Sequence, residues 1–340
     1  MINDFEAWLS ALPKAELHLH IDGSLQAHRL LSLAAKNNIE LPYSTIAEVE
    51  AAYEFEDLQS FLDLYYLGAS VLIEEDDFYH LMMDYLLKCK QQNIVHCEIM
   101  VEPQTYAPNG VSFKTMMDGF NRAITEAKSS WGQSVLLILS FLRHLSEAEA
   151  LDTLKQAEPY RHHFAAVGLA SAELGNPPEK FEKLYARARQ QGYLATAHAG
   201  EEGPAEYIWN SLGSLQVQRI DHGVRCVEDP KLVTQLFKER TALTVCPLSN
   251  IKLRVFEKMQ QHNILDMLEQ GLAVTVNSDD PAYFGGYLNE NFYALHKHLD
   301  MTQSQAQKLI ENSFEVSFLS AQEKQTFLAQ LQSDLTKTAR

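Results

Sequence analysis

Glu16-Leu17-His18-Leu19-His20, His198-Ala199-Gly200-Glu201, Asp221-His222-Gly223 and Asn277-Ser278-Asp279-Asp280 lie far apart in the chain. Together they hold the residue types of a metal centre and the acid–base groups around it. Each begins or ends an apolar, strand-like run. Side chains alternate faces along a strand with a period of 2, so His18 and His20 point the same way. One more histidine and one aspartate from other strands would complete a His/His/His/Asp shell with a position left for water. That layout belongs to catalytic zinc rather than structural zinc. A His-x-His pair alone says little; four such stretches, all at strand ends, point to one site.

His198 and the carboxylate of Asp279 can complete the shell begun by His18 and His20, since neutral imidazole and a hard oxygen both suit zinc. Water bound there would be acidified to a pKa of about 7, which makes hydroxide available at neutral pH. Glu201, three residues past His198, is a carboxyl near the metal and outside its shell, able to carry a proton to a ring nitrogen. His222 would sit across from it and orient the water. Asp280, beside Asp279 but facing another side of the turn, could hold a substrate N–H. His28, His80, His96, His144, His162, His163, His262, His296 and His298 lack such surroundings and are read as surface or core residues.

The elements that must bring these groups together are apolar runs of strand length. They lie near Glu16–Ile21, Ile94–Val101, Ser134–Phe141, Ala165–Ala170, Leu194–Ala199, Arg219–His222, Ala242–Cys246 and Ala273–Ser278. Between them, Met116–Lys128, Pro178–Gln191 and Asp229–Glu239 carry apolar residues at helical spacing. Alternation of this kind predicts a parallel α/β sheet, and about eight units over this length predict a closed (β/α)8 TIM-type barrel. Chemistry on such a barrel sits at the C-terminal ends of the strands, where all four stretches fall. Residues 24–92 are too many for one crossover and predict a helical insertion after the first core strand. Within it, Leu58–Val71 and Asp76–Gln91 read as helices, the first rich enough in Leu, Phe and Tyr to form an apolar lid. No linker-like tract or repeat divides residues 1–340, so one domain is expected.

Composition narrows the partners. With 28 basic against 45 acidic residues the net charge is −17, the wrong sign for gripping a phosphate backbone. Nucleic acid is therefore excluded as a partner, and a small, neutral or cationic substrate suits the surface. Cys89, Cys97, Cys226 and Cys246 form no C-x-x-C pair and read as reduced, mostly buried thiols. The acidic start of the chain is unlike a secretory signal, and no apolar run reaches membrane-spanning length. A cytoplasmic protein with no membrane partner is expected; the oligomeric state is left open.

The stretch Leu12-Pro13-Lys14-Ala15-Glu16-Leu17-His18-Leu19-His20, with His198-Ala199-Gly200-Glu201, Arg219-Ile220-Asp221-His222-Gly223 and Ser278-Asp279-Asp280-Pro281, resembles the adenosine/adenine deaminase family of the amidohydrolase superfamily. The resemblance runs from about Trp8 to beyond Asn312. Glu201 to Trp209, Leu243 to Asn250 and Asn277 to Tyr287 are most similar to its bacterial and fungal adenine deaminases. The resemblance implies one zinc ion per subunit on His18, His20, His198 and Asp279. It implies that Glu201 protonates purine N1, His222 assists the water and Asp280 bonds N7. Hydroxide would attack C6, and adenine would leave as hypoxanthine and ammonia. Cytidine-type zinc deaminases use His/Cys-x-x-Cys ligands, which this chain lacks.

Two positions depart from the adenine branch. Asp22 stands where those proteins usually carry Glu, and Ala170, in Gly168-Leu169-Ala170-Ser171-Ala172-Glu173, stands where they tend to carry Asp. Asp22 and Ser171 are accordingly candidate substrate contacts. A roomier pocket would admit N6-substituted adenines or adenosine as alternatives to adenine. A purine-binding protein without catalysis is disfavoured, because the full ligand set and Glu201 are present.

Overall fold

The computed structural model describes residues 4–338. Its strands are β1 (Lys14–His20), β2 (Ile94–Val101), β3 (Ser134–Leu142), β4 (Phe164–Ala170), β5 (Leu194–Ala199), β6 (Arg219–His222), β7 (Ala242–Val245) and β8 (Val274–Val276). They pair in parallel and in sequence order as one eight-stranded sheet. Nearly every strand residue is buried, as a sheet covered by helices on one face and closed on itself on the other requires. The seam is sealed past the end of β8. His20 N–H donates to Asp279 O at 3.0 Å, Asp279 N–H to His18 O at 3.2 Å, and Leu17 N–H to the Asn277 side chain at 2.8 Å. The eight-stranded (β/α) barrel expected from the sequence is the observed fold.

Ahead of the barrel lies α1 (Asp4–Ala11); the buried Lys14 ammonium donates to Leu9 O in it at 2.9 Å and to Leu12 O just past it at 2.7 Å. Between β1 and β2 come α2 (Ala27–Asn37), α3 (Ile46–Ala51), α4 (Leu58–Ala69) and α5 (Glu75–Gln91). The last of these is not part of an insertion. It packs on β2 and on the helix Phe113–Trp131, so it is the ordinary crossover helix of the first β/α unit, and the inserted helices are α2 to α4. Asp57 caps α4, accepting from Ser60 N–H at 2.9 Å. Leu58, Phe61, Leu62 and Tyr65 then recur at helical spacing, an apolar stripe turned toward the barrel mouth. No helix among the described residues is long and apolar enough to cross a membrane. All four cysteines are buried and free.

The N-terminal end of the barrel is filled by an ion pair rather than by hydrocarbon. Arg219 Nη1 donates to Glu98 Oε2 at 2.6 Å and Nη2 to Leu17 O at 3.0 Å, and both side chains are almost wholly buried. Phe318 lies against the guanidinium, its ring centroid 4.2 Å from Cζ. Burial alone would push the Glu98 carboxyl up, but Arg219 holds it below the usual carboxylate range. Removing one partner of such a pair leaves the other charge buried alone, at a cost of about 3–5 kcal/mol. Arg219→Met is therefore expected to lose that much stability in urea unfolding, and Glu98→Gln/Arg219→Met to regain most of it. Equal stability of the two variants would contradict this role.

Candidate active site

At the C-terminal end of the barrel, side chains from β1, β5 and the turn after β8 converge. β1 carries one extra residue against β2, with Glu16 opposite Cys97 and Leu19 opposite Ile99. Such a bulge re-aims nearby side chains. Nε2 of His198 lies 3.2 Å from Nε2 of His18 and 3.1 Å from Nε2 of His20. Asp279 Oδ1 lies 3.2 Å from His18 Nε2 and 3.4 Å from His20 Nε2.

The other nitrogen is hydrogen-bonded in His18 and His20, and in His198 it faces a carboxylate without a formed hydrogen bond. His18 Nδ1 faces Thr244 O at 3.2 Å and Thr244 Oγ1 at 3.0 Å; a carbonyl only accepts, so Nδ1 carries the hydrogen. His20 Nδ1 donates to Glu102 Oε1 at 2.7 Å, and His198 Nδ1 stands 3.4 Å from Asp221 Oδ2. Three Nε2 lone pairs and a carboxylate oxygen are thus turned on one another, an arrangement that only a cation relieves. Donors about 2.0–2.2 Å from a tetrahedral metal would stand at such separations from each other. The residues fit a metal.

His222 and Asp280 complete the floor. His222 Nε2 lies 3.5 Å from Glu201 Oε2 and 3.8 Å from Asp279 Oδ2. It also falls within a wider group with His18, His198 and Asp279 whose ligating atoms all lie within 4.8 Å of one another. The shorter separations made by His20 favour His20 over His222 as the third imidazole. His222 and Asp279 both have φ of 63°, left-handed backbone that non-glycine residues seldom adopt and that gathers at functional sites. The turn holding Gly23 lies hard against Asp280, where any side chain on Gly23 would collide with the carboxylate and its backbone.

Charge in this pocket is sorted by burial. Burial, with Asp279 next, pushes the Glu201 carboxyl well above its usual range, and the same causes do so for Asp280. Burial drives the His222 imidazole well below its usual value. Asp279 stays ionised: burial opposes its charge, but His18 beside it prevails. Burial thus favours the uncharged forms of Glu201, Asp280 and His222 around the Asp279 carboxylate, whereas at His20 burial is outweighed by Glu102 and the value is raised. Glu201 Oε1 and Asp280 Oδ1 are buried with no hydrogen-bond partner.

A half-open cavity lies above, with about 440 Å³ of empty space when the solvent at its mouth is included. Its floor is His20, His198, His222, Glu201, Asp279 and Asp280, and its roof is Leu58, Phe61, Leu62, Tyr65 and Tyr66 of α4. Ala170 and Ser171 are on its wall. Ser171, at φ 77°, has its hydroxyl engaged by Tyr66 OH at 3.0 Å and His144 Nδ1 at 2.8 Å. It ties the roof to the end of β4, and His144 belongs to this rim rather than to an unrelated surface. Asp22 is not among the residues lining the cavity; its carboxylate is buried beside Tyr65, accepting from Tyr106 OH and, at 3.3 Å, from Tyr65 OH. Burial and then Glu102 raise its pKa to about 7.

Glu102, Asp221 and Glu173 stand out in the structure and not in the sequence. Glu102 follows β2, lines the cavity and orients His20. Asp221 Oδ1 accepts from Thr196 Oγ1 at 2.6 Å and Thr244 Oγ1 at 3.0 Å, behind His18 and His198. Such outer partners fix ring orientation and tautomer.

A family model described as adenosine deaminase matches residues 13–334. The chain is 55% identical to an adenine deaminase of Hahella chejuensis, over 95% of this chain and 97% of that one. It is 57% identical to an adenine deaminase of Pseudomonas syringae pv. tomato, over 91% of this chain and 97% of that one. The crystal structure of an adenine deaminase from Arthrobacter aurescens matches with a TM-score of 0.94 at 47% identity, covering 96% of this chain and 99% of that one.

Proposed function

The chain belongs to the adenosine deaminase family, and from that premise we propose that it hydrolyses free adenine at C6 to hypoxanthine and ammonia. One observation carries the reading: three imidazoles and Asp279 converge beneath a cavity lined by the buried carboxyl of Glu201. Relatives named adenine deaminase at 55% and 57% identity, matched over 97% of their own lengths, support the free base as substrate.

We assign zinc, one ion per chain, to His18, His20, His198 and Asp279. Held by these four residues, zinc would acidify a bound water so that hydroxide is available at neutral pH. Glu201 gives its proton to purine N1, which draws electrons from C6 and opens it to attack. His222, neutral through burial, accepts a hydrogen bond from the attacking water and aims it at C6. Asp280, also neutral, donates to N7 through the oxygen that has no protein partner. The apolar roof of α4 excludes bulk water and covers the flat face of the base. Roof and barrel line one cavity, which supports reading residues 1–340 as one catalytic domain.

The same wall argues against a nucleoside. Leu58, Phe61, Leu62, Leu142, Ala170 and Leu253 offer no polar partner, and the hydroxyls of Tyr65, Tyr66 and Ser171 are already engaged. Each ribose hydroxyl buried unpaired costs about 1–3 kcal/mol. Adenine is therefore expected to exceed adenosine in kcat/KM by at least about 100-fold, measured from the absorbance change on deamination. Adenosine outperforming adenine would overturn the free-base reading.

A further inference from the structure

Glu201 has no side-chain anchor of its own. Its Oε1 is buried without a partner, and its Oε2 only approaches His222 Nε2, at 3.5 Å. Where the carboxyl stands is therefore set by the backbone that carries it. That backbone lies where the sheet gives out. β4 and β5 pair only through Ala166 with Leu194 and Val167 with Ala195, and past those pairs the end of β5 has no β4 partner.

Glu173, three residues past β4 and 1% exposed, fills that gap. Its Oε1 accepts from Gly200 N–H at 2.7 Å, and its Oε2 from Glu201, Glu202 and Gly203 N–H at 3.1, 2.9 and 2.9 Å. Gly200, at φ 72°, takes the left-handed turn that makes successive N–H groups converge on an anion. Arg143, just past β3, holds the other end of the segment. Its Nη1 donates to His198 O at 2.7 Å and its Nε to Asn176 O at 2.9 Å. Asn176 N–H in turn donates to Glu173 O at 3.1 Å. Glu173 does not line the cavity, so it does not touch the substrate.

We infer that Glu173 is a positioning residue of the reaction, fixing the proton-donating carboxyl of Glu201 over the substrate by gathering the backbone N–H groups of Gly200 to Gly203. The inference rests on the reading of Glu201 as the acid. An anion clamped by four backbone donors is rigid, and the geometry of proton delivery is sensitive to displacements of about 1 Å.

A double-mutant cycle on the zinc-loaded protein tests it, using Glu173→Gln, Glu201→Gln and the pair. Glu173→Gln is expected to lower kcat on adenine by about 10–100-fold with KM within about threefold of wild type, and to leave zinc content intact. Added to Glu201→Gln, it is expected to lower the residual rate by less than about threefold, because residues that act as a unit are not additive. Gly203→Ala is the second variant. A methyl group there would lie 2.6 Å from both Glu173 Oε1 and Tyr207 Cδ2, crowding the carboxylate and the ring beside it without removing the charge. It is expected to lower kcat with the same non-additivity, and it decides the matter if Glu173→Gln does not fold. Effects that multiply with Glu201→Gln, or an unchanged kcat in the variants that fold, would make Glu173 structural only and overturn the inference. If Glu201→Gln alone keeps the wild-type rate, the reading of Glu201 falls and the inference falls with it.

Discussion

Glu201→Gln is expected to lower kcat on adenine by about 10²–10⁴-fold, the usual share of a general acid–base group, while zinc stays bound. The amide matches the carboxyl in size, so the cavity keeps its shape. Glu201 is not one of the four groups in which His18 and His20 each stand 3.1–3.4 Å from His198 and Asp279, and removing it does not remove a ligand. What it removes is the proton. Burial and the neighbouring Asp279 push that carboxyl well above its usual range, toward the protonated acid, and an amide has no acidic proton to give. Zinc content by elemental analysis, measured beside kcat, separates the two roles. A variant with more than about a tenth of the wild-type rate, or one that had lost its zinc, would contradict the assignment.

His198→Ala is expected to lose metal and activity together. His198 Nε2 faces both other imidazoles, at 3.2 and 3.1 Å, so its loss opens the middle of the shell. Mutating an outer-shell partner alone costs about 10–100-fold in metal affinity, and loss of a ligand should exceed that range. Titration of the chelator-stripped protein with zinc would show it. His18→Ala and His20→Ala should behave alike. Full occupancy in the His198 variant would remove His198 from the shell and, with it, the His/His/His/Asp assignment.

The barrel was legible in the sequence because its strands are short, nearly unbroken apolar runs, and the inward turn of a few polar residues does not mask them. Disagreement is confined to strand ends. The run Ala273–Ser278 reads as one strand, but the ladder holds only Val274–Val276, since Asn277 to Asp279 leave it to seal the seam against β1. The four expected ligands were legible because histidine and aspartate are conspicuous at strand ends. The carboxylates behind them were not: Glu102, Asp221 and Glu173 differ from surface acids only in what lies across the fold from them. The one faint signal is position, since each ends or closely follows an apolar strand run as Glu201 does. Asp22 shows the converse. The family resemblance suggests a substrate contact there, but the carboxylate is hydrogen-bonded by Tyr106, 84 residues away. No local pattern contains that partner. Likewise α5 has the length and apolar face of an inserted helix, and only its packing on β2 reveals it as the crossover.

The central claim is hydrolysis of a free purine base at a metal centre, and one measurement meets it directly. The zinc-loaded protein is incubated with adenine in water enriched in ¹⁸O, and hypoxanthine, ammonia and the isotope at C6 are quantified together. The expected result is hypoxanthine and ammonia in equal amounts, with one solvent oxygen on C6 in each product molecule and no turnover after chelation. Adenine left unchanged by the zinc-loaded protein, or product formed without solvent oxygen at C6, would contradict it.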